Sequence, residues 1–287
     1  MSREASYYKK NGRNATECGL CPNRCVTFPG SFGLCGSRKN EGGVLKAWGY
    51  GIVSSAALDP IEKKPLKKFL PDGMIFSIGG YGCNLKCAFC QNHSISTKKP
   101  DLSKDKLTPD DLADIASRLV SSGNVGVAYT YNEPLINIEY VSDCAARVKE
   151  RGLSNVLVTN GYVNAEPLWD LLPLIDALNI DLKSFNDSFY REIGGSLSEV
   201  LGTIESAAQA THVEITTLII PGLNDGEDEM DSLASFIRGV DRAIPLHLTR
   251  FAPKHKLTDV PPTPKDTILR LAEIAKNKLD YVYVGNF

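Results

Sequence analysis

Three cysteines, Cys83, Cys87 and Cys90, stand close together in the sequence with the spacing C-x3-C-x2-C. With 8 cysteines in 287 residues, such a triplet is expected by chance only about 0.006 times. Thiolates are the ligands of iron–sulfur clusters, and a 4Fe–4S cluster accepts four of them. Three cysteines therefore predict a 4Fe–4S cluster with one iron open to an outside ligand. The alternative is a zinc site completed by His93, but structural zinc sites usually have four protein ligands.

An iron without a protein ligand has a specific chemical use. S-adenosylmethionine can chelate such an iron through its amino and carboxylate groups. One electron donated to its sulfonium then breaks the C5′–S bond and gives a 5′-deoxyadenosyl radical, and the fold has to supply orientation and to exclude solvent. We therefore expect polar side chains near the three cysteines that bind the ends of this cofactor.

A second group of cysteines lies near the N-terminus and comprises Cys18, Cys21, Cys25 and Cys35. The surrounding segment is too small to fold around an apolar core, so a metal is expected to hold it together. Tetrathiolate zinc and an auxiliary 4Fe–4S cluster both fit four thiolates. The Cys-x2-Cys-Pro and Cys-Gly turns are typical of a zinc knuckle, and we favour a structural role over electron relay. The remaining Cys144 is predicted to be a small buried apolar residue in a helix.

Composition narrows the class of protein. The net charge is −2 and the pI is about 6.1, so binding to nucleic acid through bulk charge is not expected. The sequence starts without an apolar signal region, and no apolar run approaches the roughly 20 residues of a membrane helix. Clustered cysteines in a reducing compartment are expected to bind metal rather than form disulfides. The sequence therefore predicts a cytoplasmic metalloprotein without membrane contact.

From residue 75 onwards, apolar β-branched strands alternate with amphipathic helices, which predicts a parallel sheet. The predicted strands are Ile75–Gly79, Val125–Tyr131, Asn155–Asn160, Leu178–Lys183, Val213–Ile220, Pro245–Phe251 and Tyr281–Gly285. The predicted helices are 110–122, 137–151, a segment from 167, 198–210, 229–238 and 265–278. We expect an α/β fold of the partial (β/α)6 TIM-barrel type over 75–287. Residues 1–74 form a Cys-rich module with connecting strands, and its first 43 residues show neither helical nor strand periodicity.

Polar residues mark the ends of the predicted strands, where barrel chemistry takes place. Asp181 and Lys183 share one face of the fourth strand because strand side chains alternate. Buried charges of this kind need each other or a charged ligand. Glu133 follows the second strand, and His247 faces inward because it alternates with leucines.

The segments Asp59–Leu66 (DPIEKKPL), Phe69–Pro71 (FLP) and Gly82–Asn92 (GCNLKCAFCQN), the last with its C-x3-C-x-Phe-C core, carry a family resemblance. The sequence resembles the radical SAM superfamily and, more narrowly, the radical SAM proteins of the AmmeMemoRadiSam system. These are related to the activating enzymes of pyruvate formate-lyase. The resemblance implies a partial barrel of the radical SAM type and an enzyme that cleaves S-adenosylmethionine.

The resemblance also implies which residues contact the methionine end of the cofactor. Tyr131, Asn132 and Glu133 take the place of an element that binds the methionine ammonium, and the alternative is an ordinary capped strand end. Asp181 and Lys183 match an Asp-x-Lys pair, in which the lysine meets the methionine carboxylate and the aspartate contacts the polar end of the cofactor. An internal salt bridge is the alternative for this pair.

Three more residues are assigned to the rest of the cofactor. Asn160 is expected to face the ribose or the methionine moiety, with an ordinary turn as its alternative. By the resemblance, Ile219 and its apolar neighbours pack against adenine. His247 resembles a histidine that contacts the ribose, and a core histidine is its alternative.

The substrate of the radical is not determined by the sequence, and we expect a small molecule. One alternative is a glycyl-radical activase that takes hydrogen from a partner protein. An alternative of another class is a non-catalytic iron–sulfur electron carrier, and a zinc-binding interaction protein is the remotest one. Expected partners are an external electron donor such as flavodoxin or ferredoxin and proteins of the Memo or AMMECR type.

The sequence departs from the family pattern at its end. Family members often continue past a segment like Val284–Asn286 into a Cys-Pro-x-Cys-Gly element, which is missing here. We therefore do not expect a metal site shared between the two termini.

Overall fold

The computed structural model describes residues 3–103 and 105–286. Its strands are β1 (Arg3–Glu4), β2 (Tyr8–Asn11), β3 (Ala15–Cys18), β4 (Val26–Thr27), β5 (Arg38–Glu41), β6 (Val44–Ala47), β7 (Ser55–Pro60), β8 (Met74–Gly79), β9 (Asn124–Tyr129), β10 (Ser154–Thr159), β11 (Ala177–Asp181), β12 (His212–Ile219), β13 (Leu246–Arg250) and β14 (Val282–Gly285). Its α-helices are α1 (His93–Ser96), α2 (Pro109–Arg118), α3 (Ile138–Glu150), α4 (Ala165–Leu171), α5 (Asp187–Glu192), α6 (Leu197–Ala208), α7 (Glu227–Asp241) and α8 (Lys265–Lys276). In these ranges, no helix is long and apolar enough to span a bilayer.

The main sheet has eight strands in the order β14-β13-β12-β11-β10-β9-β8-β7. Strands β8 to β14 pair in parallel, whereas β7 pairs antiparallel with β8. Each parallel strand neighbours the next one along the chain, as expected for repeated βα units. The predicted α/β fold is confirmed: all seven predicted strands of the parallel sheet form, and β7 adds an eighth strand at its edge.

Side-chain alternation gives each strand a helix-facing and an interior face. On β12, Val213, Ile215 and Ile219 belong to the large apolar cluster that includes the buried faces of the helices. On the same strand, Glu214 and Thr216 are also buried but point to the interior face. A polar interior indicates a ligand site rather than a barrel filled entirely by apolar side chains.

Residues 61–73, between β7 and β8, contact polar side chains of β11 and β12. The backbone N–H groups of Lys67 and Lys68 donate to the Glu214 carboxylate at 2.7 to 3.0 Å, and Asn179 Nδ2 donates to Pro65 O at 2.8 Å. His247 Nε2 lies 2.6 Å from the same carboxylate. Because these donors favour the charged form, the pKa of Glu214 is lowered to about 2 although burial opposes this shift.

The N-terminal residues contain more regular structure than predicted. Where the sequence predicts no strand period over residues 1–43, the structure has two small antiparallel sheets, β1-β6-β5 and β2-β3-β4. These strands have two to four residues, too few for a recognisable alternation. Leu20 and Leu45 join the main apolar cluster, and β7 joins the main sheet. The predicted domain boundary between residues 74 and 75 stays a prediction, although side chains and strands on its two sides pack together.

Candidate functional site

A cavity of about 360 Å³ lies at the carboxyl ends of the parallel strands, within the size range of small-molecule sites. Residues from the predicted site share its wall with residues from the segment 61–73 and from the end of the chain. Among the residues that line it are Lys63, Lys64, Pro65, Cys83, Cys87, Cys90, Gln91, Asn92, Ser96, Tyr131, Asn132, Glu133, Asn160, Asp181, Lys183, Thr216, Leu218, Thr249 and Asn286.

The three cysteines of the C-x3-C-x2-C motif all line this cavity and are free of disulfides. The Leu85 N–H donates to Cys83 Sγ at 3.4 Å, and Asn160 Nδ2 lies 3.6 Å from the same sulfur. Cys90 Sγ is 3.2 Å from Ser96 Oγ. Three thiols around one cavity, with polar neighbours at the sulfurs of Cys83 and Cys90, fit the ligand set of a 4Fe–4S cluster.

Asn132 fixes the start of the cysteine loop. Its Oδ1 accepts from the Gly80 N–H at 2.8 Å, and its Nδ2 donates to Gly82 O at 3.0 Å. Gly82 has φ +87°, and a Cβ there would lie 2.2 Å from the carbonyl oxygen of Cys35. Only glycine allows this conformation and this close approach. Asn132 therefore positions the loop as well as lining the cavity.

Glu133 is buried at the end of β9 and lines the cavity. Its carboxylate accepts from Thr159 Oγ1 at 2.7 Å and from the N–H groups of Leu135 and Asn160 at 2.9 and 2.8 Å. Burial raises the pKa of Glu133 to about 7, although these donors lower it. The carboxylate is held rigidly and can accept a further hydrogen bond from a ligand in the cavity.

Asp181 and Lys183 lie together at the end of β11, as strand alternation predicts. Lys183 Nζ is 2.9 Å from Asp181 Oδ2, and both side chains line the cavity. Burial alone would lower the pKa of Lys183, but Asp181 and Cys87 outweigh it and raise the pKa well above its usual value. The ammonium group is therefore charged at neutral pH and can meet an anionic ligand.

A second polar cluster at the cavity was not predicted. Lys64 Nζ lies 3.0 Å from Asp59 Oδ2 and 4.8 Å from the centre of the Tyr131 ring, while Tyr131 Oη donates to the same Asp59 oxygen at 2.9 Å. Lys64 and the Tyr131 hydroxyl hold the pKa of Asp59 at about 2 despite partial burial. The Asp59–Leu66 segment gives no local sign of this role, because its partner comes 72 residues later.

Two predicted cofactor residues are not among those that line the cavity. Ile219 is fully buried on the helix-facing side of β12, because alternation gives the cavity face to Leu218. His247 does face the interior, but its ring contacts Glu214 and stacks on Tyr283 at 5.2 Å. Two residues further along the same face, Thr249 lines the cavity. Strand alternation, followed to the ends of β12 and β13, would have identified Leu218 and Thr249 as residues that line the cavity.

The four N-terminal cysteines surround a separate cavity of about 20 Å³. Cys18 and Cys21 are buried, Cys25 and Cys35 are half-buried, and all four are free of disulfides. The Leu34 N–H donates to Cys25 Sγ at 3.4 Å. The cysteines of the N-terminal group therefore come together in space, as their spacing predicts.

The two cysteine groups share a wall. Asn84 lines the N-terminal cavity, whereas its neighbour Cys83 lines the large one. Asn23 Nδ2 donates to Asn84 O at 3.0 Å, and Asn160 Nδ2 donates to Asn84 Oδ1 at 2.9 Å. Sequence reasoning missed this contact, because the two groups are about 50 residues apart and carry no shared signal.

Cys144 is fully buried in α3, as predicted, and does not line either cavity.

Comparison with known proteins identifies the family of this fold. Residues 77–237 match the radical SAM superfamily. The chain is 42% identical over 289 residues to an uncharacterized protein of Methanocaldococcus jannaschii, MJ0808, covering 99% of this chain and 85% of the relative. It is 25% identical to the pyruvate formate-lyase 1-activating enzyme of Escherichia coli strain K12, covering 67% of this chain and 85% of that protein.

A solved structure supports the same fold. A radical SAM methyltransferase from Sphaerobacter thermophilus superposes with a TM-score of 0.59 at 18% sequence identity, covering 76% of this chain and 67% of that chain. At this identity the likeness concerns the fold alone.

Proposed function

The chain belongs to the radical SAM superfamily, whose enzymes use a 4Fe–4S cluster and S-adenosylmethionine, and we propose that Cys83, Cys87 and Cys90 hold that cluster here. One observation carries this proposal. The three thiols line the same cavity as Glu133, which follows β9, and Lys183, which follows β11 on the other side of β10, and these two side chains supply opposite charges. A zwitterionic ligand needs such an arrangement of acceptor and donor.

When bound, the cluster supplies one electron that cleaves S-adenosylmethionine to methionine and a 5′-deoxyadenosyl radical. Lys183 donates to the methionine carboxylate, and Glu133 accepts from the amino group. Asp181 holds the Lys183 ammonium in place. Leu218 and Thr249 line the cavity and would contact the adenosine, whereas Ile219 and His247, the residues predicted for this role, do not line it.

Lys64 and Tyr131 are proposed to shield the cavity, not to bind the ends of the cofactor. Lys64 and Tyr131, both bound to Asp59, line one side of the cavity and would exclude water from the reacting carbon there. Without such a wall, a radical formed in the cavity would react with other hydrogen donors before it reaches a substrate.

Reductive cleavage is tested with the Cys87→Ala variant, purified without oxygen and given dithionite and S-adenosylmethionine. We expect 5′-deoxyadenosine release to fall to the background of a protein-free sample. The matched control is Cys144→Ala, which removes a buried thiol that lines neither cavity and should release as much as wild type. Equal release from Cys87→Ala and wild type would refute the proposal.

The substrate of the radical is proposed to be a small molecule, in a protein of the AmmeMemoRadiSam system with Memo-type or AMMECR-type partners. The Asp59–Leu66 segment, which carries part of the resemblance and contributes Lys63, Lys64 and Pro65 to the cavity wall, supports this proposal. A second candidate is a glycyl-radical activase, favoured by the similarity to the pyruvate formate-lyase 1-activating enzyme. Electron paramagnetic resonance separates them, since an activase leaves a glycyl radical on a partner protein.

The four N-terminal cysteines are proposed to hold a second metal centre, supported by their position around one cavity. An external one-electron donor such as flavodoxin or ferredoxin is the proposed reductant, because cleavage consumes an electron. The cytoplasmic location stays a prediction.

A further inference from the structure

We propose that Lys64, at the end of the cavity away from the three cysteines, binds an anionic group of the substrate, a carboxylate or a phosphate. The inference rests on the proposed function, because it names the class of molecule from which the adenosyl radical takes hydrogen. It adds a binding role to a lysine that is otherwise proposed to shield the cavity. The substrate is then a small organic anion, not a neutral molecule.

The two ends of the cavity follow from the strand register. Asp59 on β7 pairs with Ile75 near the start of β8, whereas Cys83 follows the end of β8 at Gly79. The four-residue step from Ile75 to Gly79, at a rise of roughly 3.3 Å per residue, separates Asp59 from the cysteine end by about 13 Å along β8. Lys64, which is paired with Asp59, therefore lies toward the far end of the cavity.

The segment 61–73 closes this far end. Asn179 on β11 pairs with Glu214 on β12, and both side chains form hydrogen bonds with the segment. The next residues on the same strand faces, Asp181 and Thr216, line the cavity. The cavity therefore runs from the cysteines at the carboxyl ends of the strands to the segment 61–73, which contributes two lysines to its wall.

The charged side chains of the cavity wall fall into two sets. One set lies at the strand ends, includes the Asp181–Lys183 pair and is proposed to meet the cofactor. In the other set, Lys63 Nζ and Lys64 Nζ share one carboxylate, that of Asp59, at 3.2 and 3.0 Å. This second set has two ammonium groups for one carboxylate, so one anionic group of a ligand would balance it.

Lys64 is the member of this set that is suited to bind a ligand. Its side chain is 3% exposed, whereas that of Lys63 is 64% exposed. An ammonium group has three N–H donors, and in residues 3–103 and 105–286 Asp59 is the hydrogen-bond acceptor of Lys64. Buried donors without an acceptor cost free energy, so the remaining N–H groups favour an acceptor on a ligand. Burial also lowers the pKa of Lys64, and a second anion would stabilise its charged form.

Tyr131 forms the wall between the cysteine end and Lys64. Its backbone is left-handed at φ +68°, a conformation that residues with a Cβ rarely adopt and that occurs at functional sites. A Cβ at Gly79 would lie 2.9 Å from atoms of the Tyr131 side chain, whose hydroxyl donates to Asp59. The aromatic ring therefore extends from the end of β8 toward Asp59. An apolar wall there suits the carbon chain of a substrate whose anionic group meets Lys64.

The step that this arrangement serves is a hydrogen-atom transfer. The adenosyl radical takes one hydrogen atom from a substrate carbon, so that a C–H bond breaks, a C5′–H bond forms and the unpaired electron stays on the substrate carbon. Lys64 is a positioning residue, because it holds the anionic group at the far end and exchanges neither electron nor proton. A fixed anionic group directs the carbon chain toward the cofactor, and such alignment speeds the transfer.

Calorimetric titration tests the binding of the anionic group. The protein carries its cluster and is saturated with S-adenosylmethionine without reductant, so that the cofactor covers Lys183. We expect saturable binding of inorganic phosphate or of acetate, which identifies the anionic group, and none of the neutral acetamide. Lys64→Met should bind the anion at least about tenfold more weakly, and Lys276→Met should bind it as wild type does. Absence of binding of both anions to wild type would overturn the proposal.

The Asp59→Asn variant separates a binding role from a structural ion pair. Removal of the competing carboxylate should leave the anion bound at least as tightly as in wild type, whereas Lys64→Met weakens its binding. If the pair only maintains the structure, both variants weaken binding to the same extent, and that result would overturn the proposal.

Deuterium transfer tests whether the anionic group positions the reacting carbon. The protein receives dithionite, S-adenosylmethionine and perdeuterated butanoate, butyl phosphate or butanol, and mass spectrometry measures deuterium in the 5′-deoxyadenosine. Dithionite and a proton from water quench the radical left on the probe. We expect deuterium from one of the anions and not from butanol, and in Lys64→Met at least about tenfold less deuterium per 5′-deoxyadenosine. Unlabelled product with both anions, or equal labelling from butanol, would overturn the proposal.

These outcomes separate the two proposals, and the comparison of anions with neutral probes in wild type decides even where a variant fails to fold. A protein that releases 5′-deoxyadenosine but takes deuterium from neither anion refutes this inference alone. A protein that binds the anion through Lys64 but releases no 5′-deoxyadenosine refutes the proposed function and leaves the anion site standing.

Discussion

The two cysteine sites differ in what faces their thiols. Cys83, Cys87 and Cys90 line a cavity of about 360 Å³ that also carries charged side chains, such as Lys183. The N-terminal cysteines enclose a cavity of about 20 Å³, and its wall combines apolar side chains such as Leu20 and Leu45 with Arg38, whose charge is paired. The cluster proposed on the three cysteines would leave one coordination position open to a ligand, whereas the metal proposed on the N-terminal group would have a fourth cysteine ligand.

This difference indicates that the number of cysteine ligands and the side chains around them together decide the role of a thiolate site. The proposed reactive centre lies at strand ends because the parallel sheet brings polar residues to the same place. The metal centre proposed on the four N-terminal cysteines would also stabilise the fold of its module of short strands. Variants that affect one site and spare the other therefore test whether the two sites have different roles.

The largest effect is expected from removing ligands of the closed site. Cys18→Ser/Cys21→Ser should lose the N-terminal metal and lower the free energy of unfolding by more than about 5 kcal/mol, because metal binding is folding free energy in small modules. Anoxic thermal unfolding and limited proteolysis measure this loss. The Cys83→Ala/Cys87→Ala/Cys90→Ala protein is the matched control and should keep its fold. Similar losses in both proteins would contradict the distinction.

The next effect concerns the buried ion pair beside the closed site. Arg38 lines the N-terminal cavity, and its Nη2 donates to both Glu139 carboxylate oxygens at 2.6 and 2.8 Å, with both side chains 1% exposed. Arg38→Met leaves a buried carboxylate without its partner, so we expect a loss of about 3–5 kcal/mol in chemical unfolding.

Two further variants control this result. Arg38→Met/Glu139→Leu should recover part of the loss, since no unpaired charge remains. Lys276→Met removes an exposed pair with Glu273 and should change stability by no more than about 0.5 kcal/mol. An Arg38→Met protein as stable as Lys276→Met would show that the ion pair does not stabilise the module.

A smaller effect is expected at the open site. Lys183→Met should weaken S-adenosylmethionine binding about 10- to 100-fold, because a hydrogen bond to a charged group contributes about 1.5–3 kcal/mol. Equilibrium dialysis of the protein with its clusters measures the affinity, and the iron content should equal that of wild type. Lys276→Met again serves as the control. Unchanged affinity would remove Lys183 from the proposed site.

The smallest effect is a pH dependence at Glu133. The pKa of this carboxyl is raised to about 7 by burial, so it is ionised above that pH and protonated below it. The ionised form accepts from the amino group of S-adenosylmethionine, and affinity should fall by up to about tenfold per pH unit below pH 7. Glu133→Gln should bind more weakly at pH 8 and lose this dependence. An identical pH profile in both proteins would contradict the assignment.

Local patterns predicted much of the fold. Alternation of apolar strands and amphipathic helices identified all seven parallel strands, because each element buries one face against its neighbours. The same patterns failed for the short strands between Arg3 and Glu41, which are fixed by tertiary contacts. The role of Ile219 stays a prediction; the resemblance, not the strand period, suggested it, and its side chain is buried in the apolar cluster.

From the sequence alone follow the two groups of thiols, their proposed role as metal ligands, and the polar residues at strand ends. Ligand type and spacing are local properties, and strand alternation carries Asp181 and Lys183 to one face. Only the tertiary structure decided that Lys64 and Asp59 meet Tyr131, that His247 contacts Glu214, and that Asn84 touches the second cavity. These contacts join residues far apart in the chain, and no local pattern encodes which distant partner satisfies a buried polar group.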